Sequence, residues 1–183
     1  VTALSRAALA GAATGGRGFT GLAALALATP SGPATQPDRT LSVGWVQGVA
    51  ALLAVGEIVA DKLPQAPSRL EPAGLGLRCL SAAAAGLIIA RRAPETADPG
   101  LASSYPGETS GYPGEEAETG RPPVPGAART VACVTVAAAA AVGASWLGVK
   151  WRGWAAARTG HDYVGAGLED ALAVCLAGLS VRR

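Results

Sequence analysis

The 183-residue chain carries 15 Lys and Arg against 13 Asp and Glu; a net charge of +2 with no basic, aromatic-interleaved stripe gives no case for nucleic-acid binding. Half of the residues are apolar, yet aromatics make up 4% and charged residues 15%, where soluble domains average roughly a quarter charged. Abundant Gly and Ala suit close-packed membrane helices better than an aromatic-filled, water-soluble core. Arg far outnumbers Lys, Met is absent and Val1 stands first. That pattern reads as a bacterial open reading frame of high GC content with a GTG start. Cys79, Cys133 and Cys175 each stand alone in a separate apolar run, so neither a disulfide framework nor a Cys-based metal site is expected. Arg17 interrupts what would be the apolar core of a signal peptide, and no small-residue cleavage site precedes a soluble domain.

Ala3 to Ala28 is the first apolar segment, long enough at about 1.5 Å per residue to cross a bilayer with some tilt. Gly15-Gly16-Arg17-Gly18 places three glycines and a charge in its middle. Three readings are open. The helix is continuous, with Arg17 paired to an acid on a neighbour; or it is broken there, with irregular backbone lining a cavity; or the segment lies on the membrane surface.

After a Pro/Ser/Gly loop, the second segment runs from about Leu41 to Lys62, with Trp45 as an interfacial anchor, and stops at Pro64 and Pro67. Glu57 and Asp61 are four apart, so a helix sets both carboxylates on one face. Asp61 and Lys62 fall at headgroup level. Glu57 lies about 7 Å further in by helix rise and cannot snorkel as far as Lys or Arg.

The third segment, Gly74 to Ala90, carries Arg78 near its start. Its few strong aliphatic residues contribute about −0.3 to −0.6 kcal/mol each against about 2.5 to 3.5 for a central Arg, so the helix is marginal alone. Arg78 and Glu57 fall on the same membrane side, which predicts a Glu57–Arg78 pair. Residues 93 to 128 then turn Pro-, Gly-, Ser- and Glu-rich, with a tandem Tyr-Pro-Gly-Glu at Tyr105 and Tyr112; this composition predicts a disordered linker.

The fourth segment, Arg129 to about Arg158, ends in Lys150, Trp151, Arg152, Trp154 and Arg158, a basic-aromatic cluster typical of a membrane interface or a lipid-headgroup contact. Thr159 to Asp162 is a turn. The fifth, Tyr163 to Val181, holds Glu169 and Asp170, which face about 100° apart, so at most one can point squarely at a given neighbour. Gly11-Ala12-x-x-x-Gly16 recurs as Gly143-Ala144-x-x-x-Gly148, a faint sign of an inverted repeat between segments one and four. Lys and Arg divide almost evenly between the two faces and leave orientation open.

Three stretches carry a resemblance: GGRGFTGLAALALA (15–28), GEIVADKLP (56–64) and GLEDALAV (167–174). Together they resemble an uncharacterised bacterial integral-membrane family catalogued as domain of unknown function 4126. Its pattern is matched at Arg17, Glu57, Asp61, Lys62, Pro64, Arg78, Glu169 and Asp170. The chain departs from it in the long acidic linker and at Pro67-Ser68. The resemblance implies a helical membrane architecture and no known activity.

The expectation is thus an all-α, multi-spanning bundle of about five helices in the bacterial cytoplasmic (inner) membrane: helices 1–3 in 1–92, the linker, and helices 4–5 in 129–183. Arg17, Glu57, Asp61, Lys62, Arg78, Glu169 and Asp170 form its candidate charged centre. Two functions compete: binding or transport of a solute, ion or proton at that centre, or an accessory role in which the charges only pair helices. The partners implied are membrane lipids, with self-association open and nucleic acid absent. A lone loop His161 beside Asp162, without a nucleophile motif, argues against an enzyme, and no cofactor fingerprint is present. A carboxylate metal site from Glu57, Asp61, Glu169 and Asp170 with His161 is conceivable only on composition.

Overall fold

A computed structural model describes residues 2–30, 36–60, 71–92, 126–160 and 162–182. Among them the chain is all-helical: α1 (Ala3–Gly16), α2 (Thr20–Leu27), the short α3 (Asp38–Leu41), α4 (Gly44–Ala60), α5 (Pro72–Arg92), α6 (Ala127–Thr159) and α7 (Asp162–Val181). The expected linker 93–128 lies outside the described residues up to 125, and Ala127 and Ala128 already belong to α6. Gly160, at φ 71°, ends α6 in the left-handed conformation that favours glycine, and its N–H donates to the Ala156 carbonyl.

The first segment is not one continuous rod. It is a helical hairpin. α1 stops at Gly16, Arg17 is extended (φ −141°, ψ 110°), and a turn closed by Thr20 N–H donating to the Arg17 carbonyl (3.0 Å) starts α2. α2 then folds back along α1. A Cβ placed on Gly21 would sit 2.6 Å from the Ala10 carbonyl oxygen and collide with the Thr14 hydroxyl, so only glycine admits this approach. The Thr14 hydroxyl is itself satisfied by the Ala10 carbonyl one turn back (2.8 Å). Local sequence favours a break: Gly costs roughly 1 kcal/mol per helical position relative to Ala, and two adjoin here.

The remaining helices pack around this hairpin in alternating directions. Gln47 on α4 donates to the Ala26 and Thr29 carbonyls at the hairpin mouth, whereas Glu57 reaches its apex. On α5 the order is reversed, with Arg78 at the apex and Arg92 at the mouth, bonded to Thr29 Oγ1 (2.6 Å) and to Asp38 (2.6 Å). On α6, Ala137 lies against Gly11 and Ser145 against Gly15; on α7, Asp170 meets Arg17 and the Ser180 carbonyl accepts from Arg6 (2.8 Å). α1 and α6 therefore run the same way. An inverted repeat needs them opposed, and the two Gly-Ala-x-x-x-Gly copies do different jobs: Gly11 is pressed against the Ala137 backbone of α6, while its counterpart Gly143 faces open space.

Close packing explains the composition. Cys133, Ala137, Ala141 and Ser145 recur every four residues along α6 and are fully buried. α1 approaches this stripe at Gly11 and Gly15, and α5 at Gly86, where an added Cβ would lie 2.6 Å from the Cys133 carbonyl oxygen. Leu25 and Ile89 are buried, but most large apolar side chains are outside: Trp45 is 72% exposed and Leu80 71%, with Leu52, Val59, Trp146 and Leu172 also exposed. Meanwhile the bulkiest fully buried side chain is Arg17. This inverts the distribution of a water-soluble core, in which Leu, Ile, Val and Phe are the most buried and Arg is among the least. α5 and α6 (through Arg158) are long and apolar enough to cross a membrane, and α4 is apolar but shorter.

Candidate functional site

Breaking a helix leaves bare carbonyls at the end of α1 and bare N–H groups at the start of α2. In the interior of a bundle these groups need partners. The bundle supplies them by sign. Glu57 from α4 accepts from Gly18 N–H at Oε1 (2.7 Å) and Phe19 N–H at Oε2 (3.0 Å), an anion at the positive end of a half-helix. Arg78 from α5 donates through Nη1 to the Gly15 carbonyl (2.6 Å), a cation at the negative end of the other half-helix. The Ser145 hydroxyl from α6 donates to the same carbonyl (3.0 Å). Arg78 Nη2 also bonds Glu57 Oε1 (3.2 Å), so one ion pair straddles the break.

Arg17 is the residue at the break itself. Its side chain is 1% exposed, and its Nε and Nη2 both donate to Asp170 Oδ1 on α7. Glu169, the neighbouring acid, turns elsewhere: it faces Arg152 of α6 at 3.5 Å. The two adjacent carboxylates thus serve two different arginines, as their angular separation requires. Interior charges without a partner are costly, and each of these is held by an opposite charge. Access differs between them: the Glu57 and Asp170 side chains keep 18% and 19% of their surface, and Arg17 almost none.

Of the residues picked from sequence, Arg17, Glu57, Arg78 and Asp170 gather at the hairpin apex, with Glu169 beside them. Asp61 and Lys62 lie outside the described residues, as does His161. Arg152 was grouped with the interface; it points inward to Glu169 instead. The rest of that group forms an aromatic-basic ladder on the end of α6. Trp151 and Trp154 stack (centroids 5.1 Å apart), Arg158 lies over the Trp154 ring at 5.1 Å, and Lys150 lies over Trp146 at 5.5 Å. Trp151 Nε1 donates to the Gly165 carbonyl on α7 (3.3 Å).

Sequence reasoning passed over Ser145 and the Asp38–Arg92 pair that fastens the hairpin mouth; nothing local marks Ser145 or Asp38. Among the described residues no three His, Cys, Asp or Glu side chains converge as metal ligands, because each apex carboxylate is turned to its own arginine. Beside the centre, a half-open cleft of about 410 Å³ runs between α6 and α7, with Ala12 and Gly16 of α1 as its floor. Its walls are apolar apart from Glu169.

No protein-family model, no curated protein and no solved structure matches this chain. The likeness drawn from residues 15–28, 56–64 and 167–174 therefore rests on those motifs alone.

Proposed function

We propose that this chain is a multi-pass protein of a bacterial inner membrane that binds a small solute or ion at the hairpin apex and carries it across. The α1–α2 hairpin is then a re-entrant element that enters and leaves on one side, and α4 to α7 span. The observation that carries this reading is the interrupted backbone between Gly16 and Phe19, held inside a bundle whose large apolar residues face outward. Irregular backbone at membrane depth occurs where it is buried in protein or lines a cavity, and in secondary transporters the ends of broken helices hold substrate and coupling ions. Here the protein's own carboxylate and guanidinium stand at those two ends, with Glu57 in the position of an anionic ligand and Arg78 in that of a cation. Substrate would exchange with these groups; Glu57 and Asp170 retain the access that this requires.

The closed pairing of the apex charges favours a second reading, an accessory membrane protein in which the pairs only fix helix packing. Flux in proteoliposomes separates the two. Transport predicts ion- or proton-dependent movement that Glu57→Gln abolishes while the protein stays folded and inserted. Absence of any flux or bound solute in the parent protein leaves the accessory reading. The likeness to the uncharacterised membrane family agrees with the architecture of either. The hairpin also bears on orientation: it brings Arg6 to the end that holds Arg39, Arg91, Arg92, Arg129 and Arg182, opposite Lys150 and Arg158. By the positive-inside rule that end would face the cytoplasm.

A further inference from the structure

The α6–α7 cleft continues through Trp151 into the Trp154–Arg158 part of the aromatic-basic ladder. Leu147 and Trp151 of α6 and Leu168 and Leu172 of α7 are its walls, and the side chains of Leu147, Leu168 and Leu172 are more than half exposed at the rim. Trp151 belongs to both parts. It lines the cleft and stacks on Trp154, whose face carries Arg158. Lys150, on the next turn, lies over Trp146. Lys150 and Arg158 are exposed, and among the described residues neither is paired with a carboxylate. Glu169 brings no net charge to the cleft because Arg152 faces it.

From this continuity we infer that the cleft is a binding site for a single anionic glycerophospholipid, its acyl chain lying between α6 and α7 and its phosphate meeting Arg158. The volume falls in the usual 300–1,000 Å³ range of small-molecule sites. An apolar trough that leads through Trp151 and Trp154 to an exposed cation matches an acyl chain that ends in an anion. A neutral phospholipid fills the trough equally well and gains nothing from that cation. The lipid would lie against Gly16 at the hairpin apex, so its occupancy is coupled to the apex packing. The inference rests on the membrane reading above and not on transport.

Bilayers with brominated acyl chains test it, because bromine quenches nearby indoles. A Trp45→Phe background leaves Trp146, Trp151 and Trp154 as reporters, all on α6. Flotation with vesicles comes first: failure to float overturns the membrane reading and this site together. In protein that floats, brominated phosphatidylglycerol should quench saturably at low mole fraction, with a preference over brominated phosphatidylcholine of roughly tenfold. Arg158→Gln, on an exposed position, should abolish the preference and leave insertion intact, and Lys150→Gln, whose ammonium lies over Trp146 away from the cleft, should leave the preference in place. Leu168→Phe with Leu172→Phe, which narrows the cleft, should remove saturable quenching. Equal quenching by both lipids, in simple proportion to mole fraction, overturns the site while the membrane reading stands.

Discussion

Exchanging Glu57 and Arg78 is the sharpest test of the site geometry. If the two residues served only as an ion pair, Glu57→Arg with Arg78→Glu would restore what each single reversal loses. The structure predicts no rescue. The attraction between the two charges is common to the parent and the exchanged protein and cancels in the comparison. What differs is the backbone around them. Exchange sets a guanidinium against Gly18 N–H and Phe19 N–H and a carboxylate against the Gly15 carbonyl. The two N–H groups are orphaned at about 1–3 kcal/mol each, while the Ser145 hydroxyl still bonds the Gly15 carbonyl. Each charge against the wrong helix end adds about 0.3–1 kcal/mol. Partial exposure of Glu57 and Arg78 argues for the lower half of the range, about 3–5 kcal/mol in all. At about 2–4 °C per kcal/mol for a chain of this size, the exchanged protein should melt roughly ten degrees or more below the parent. Heating detergent-solubilised protein and measuring the monodisperse fraction by size-exclusion chromatography reads this directly. An exchanged protein that melts within two or so degrees of the parent, with both single reversals well below, would refute the backbone-capping argument.

Other predictions follow from the same packing. Gly15→Ala should destabilise by about 1–3 kcal/mol, because the new methyl meets Ala141 backbone and the Ala144 Cβ. Gly143→Ala, where the added methyl meets open space, should be neutral or stabilise by up to about 1 kcal/mol; equal thermal effects at the two sites would contradict the assigned packing. Asp170→Asn should cost about 1–3 kcal/mol, because the buried Arg17 guanidinium loses a charged acceptor, and Arg17→Met in the same chain should recover much of the loss. In a cysteine-free background, Thr2→Cys and Pro30→Cys should react with an impermeant maleimide from the same side of the membrane; labelling from opposite sides would exclude the hairpin.

Much of the secondary structure was legible in the chain. Apolar runs bounded by Pro, Gly and charge located α4 to α7 to within a few residues, since hydropathy and breaker residues act locally. The charged residues were legible too. An ionisable group inside an apolar run is rare enough to be noticed whatever surrounds it. The first segment was not decided this way, because Gly15-Gly16-Arg17-Gly18 permits a weakened continuous helix as readily as a break.

Sequence alone determined a helical chain with small residues at regular spacing and a handful of charges within greasy stretches. Only the tertiary structure decided that the first stretch reverses, that α1 runs parallel to α6, and which acid serves which arginine. The reason is one of range. Helix formation is governed by neighbours within about four residues. Reversal at Gly16 depends on Gly21 fitting against Ala10 and on caps delivered by Glu57 and Arg78, tens of positions along the chain. Such partners are selected by packing between helices, and a one-dimensional pattern carries no record of which faces meet.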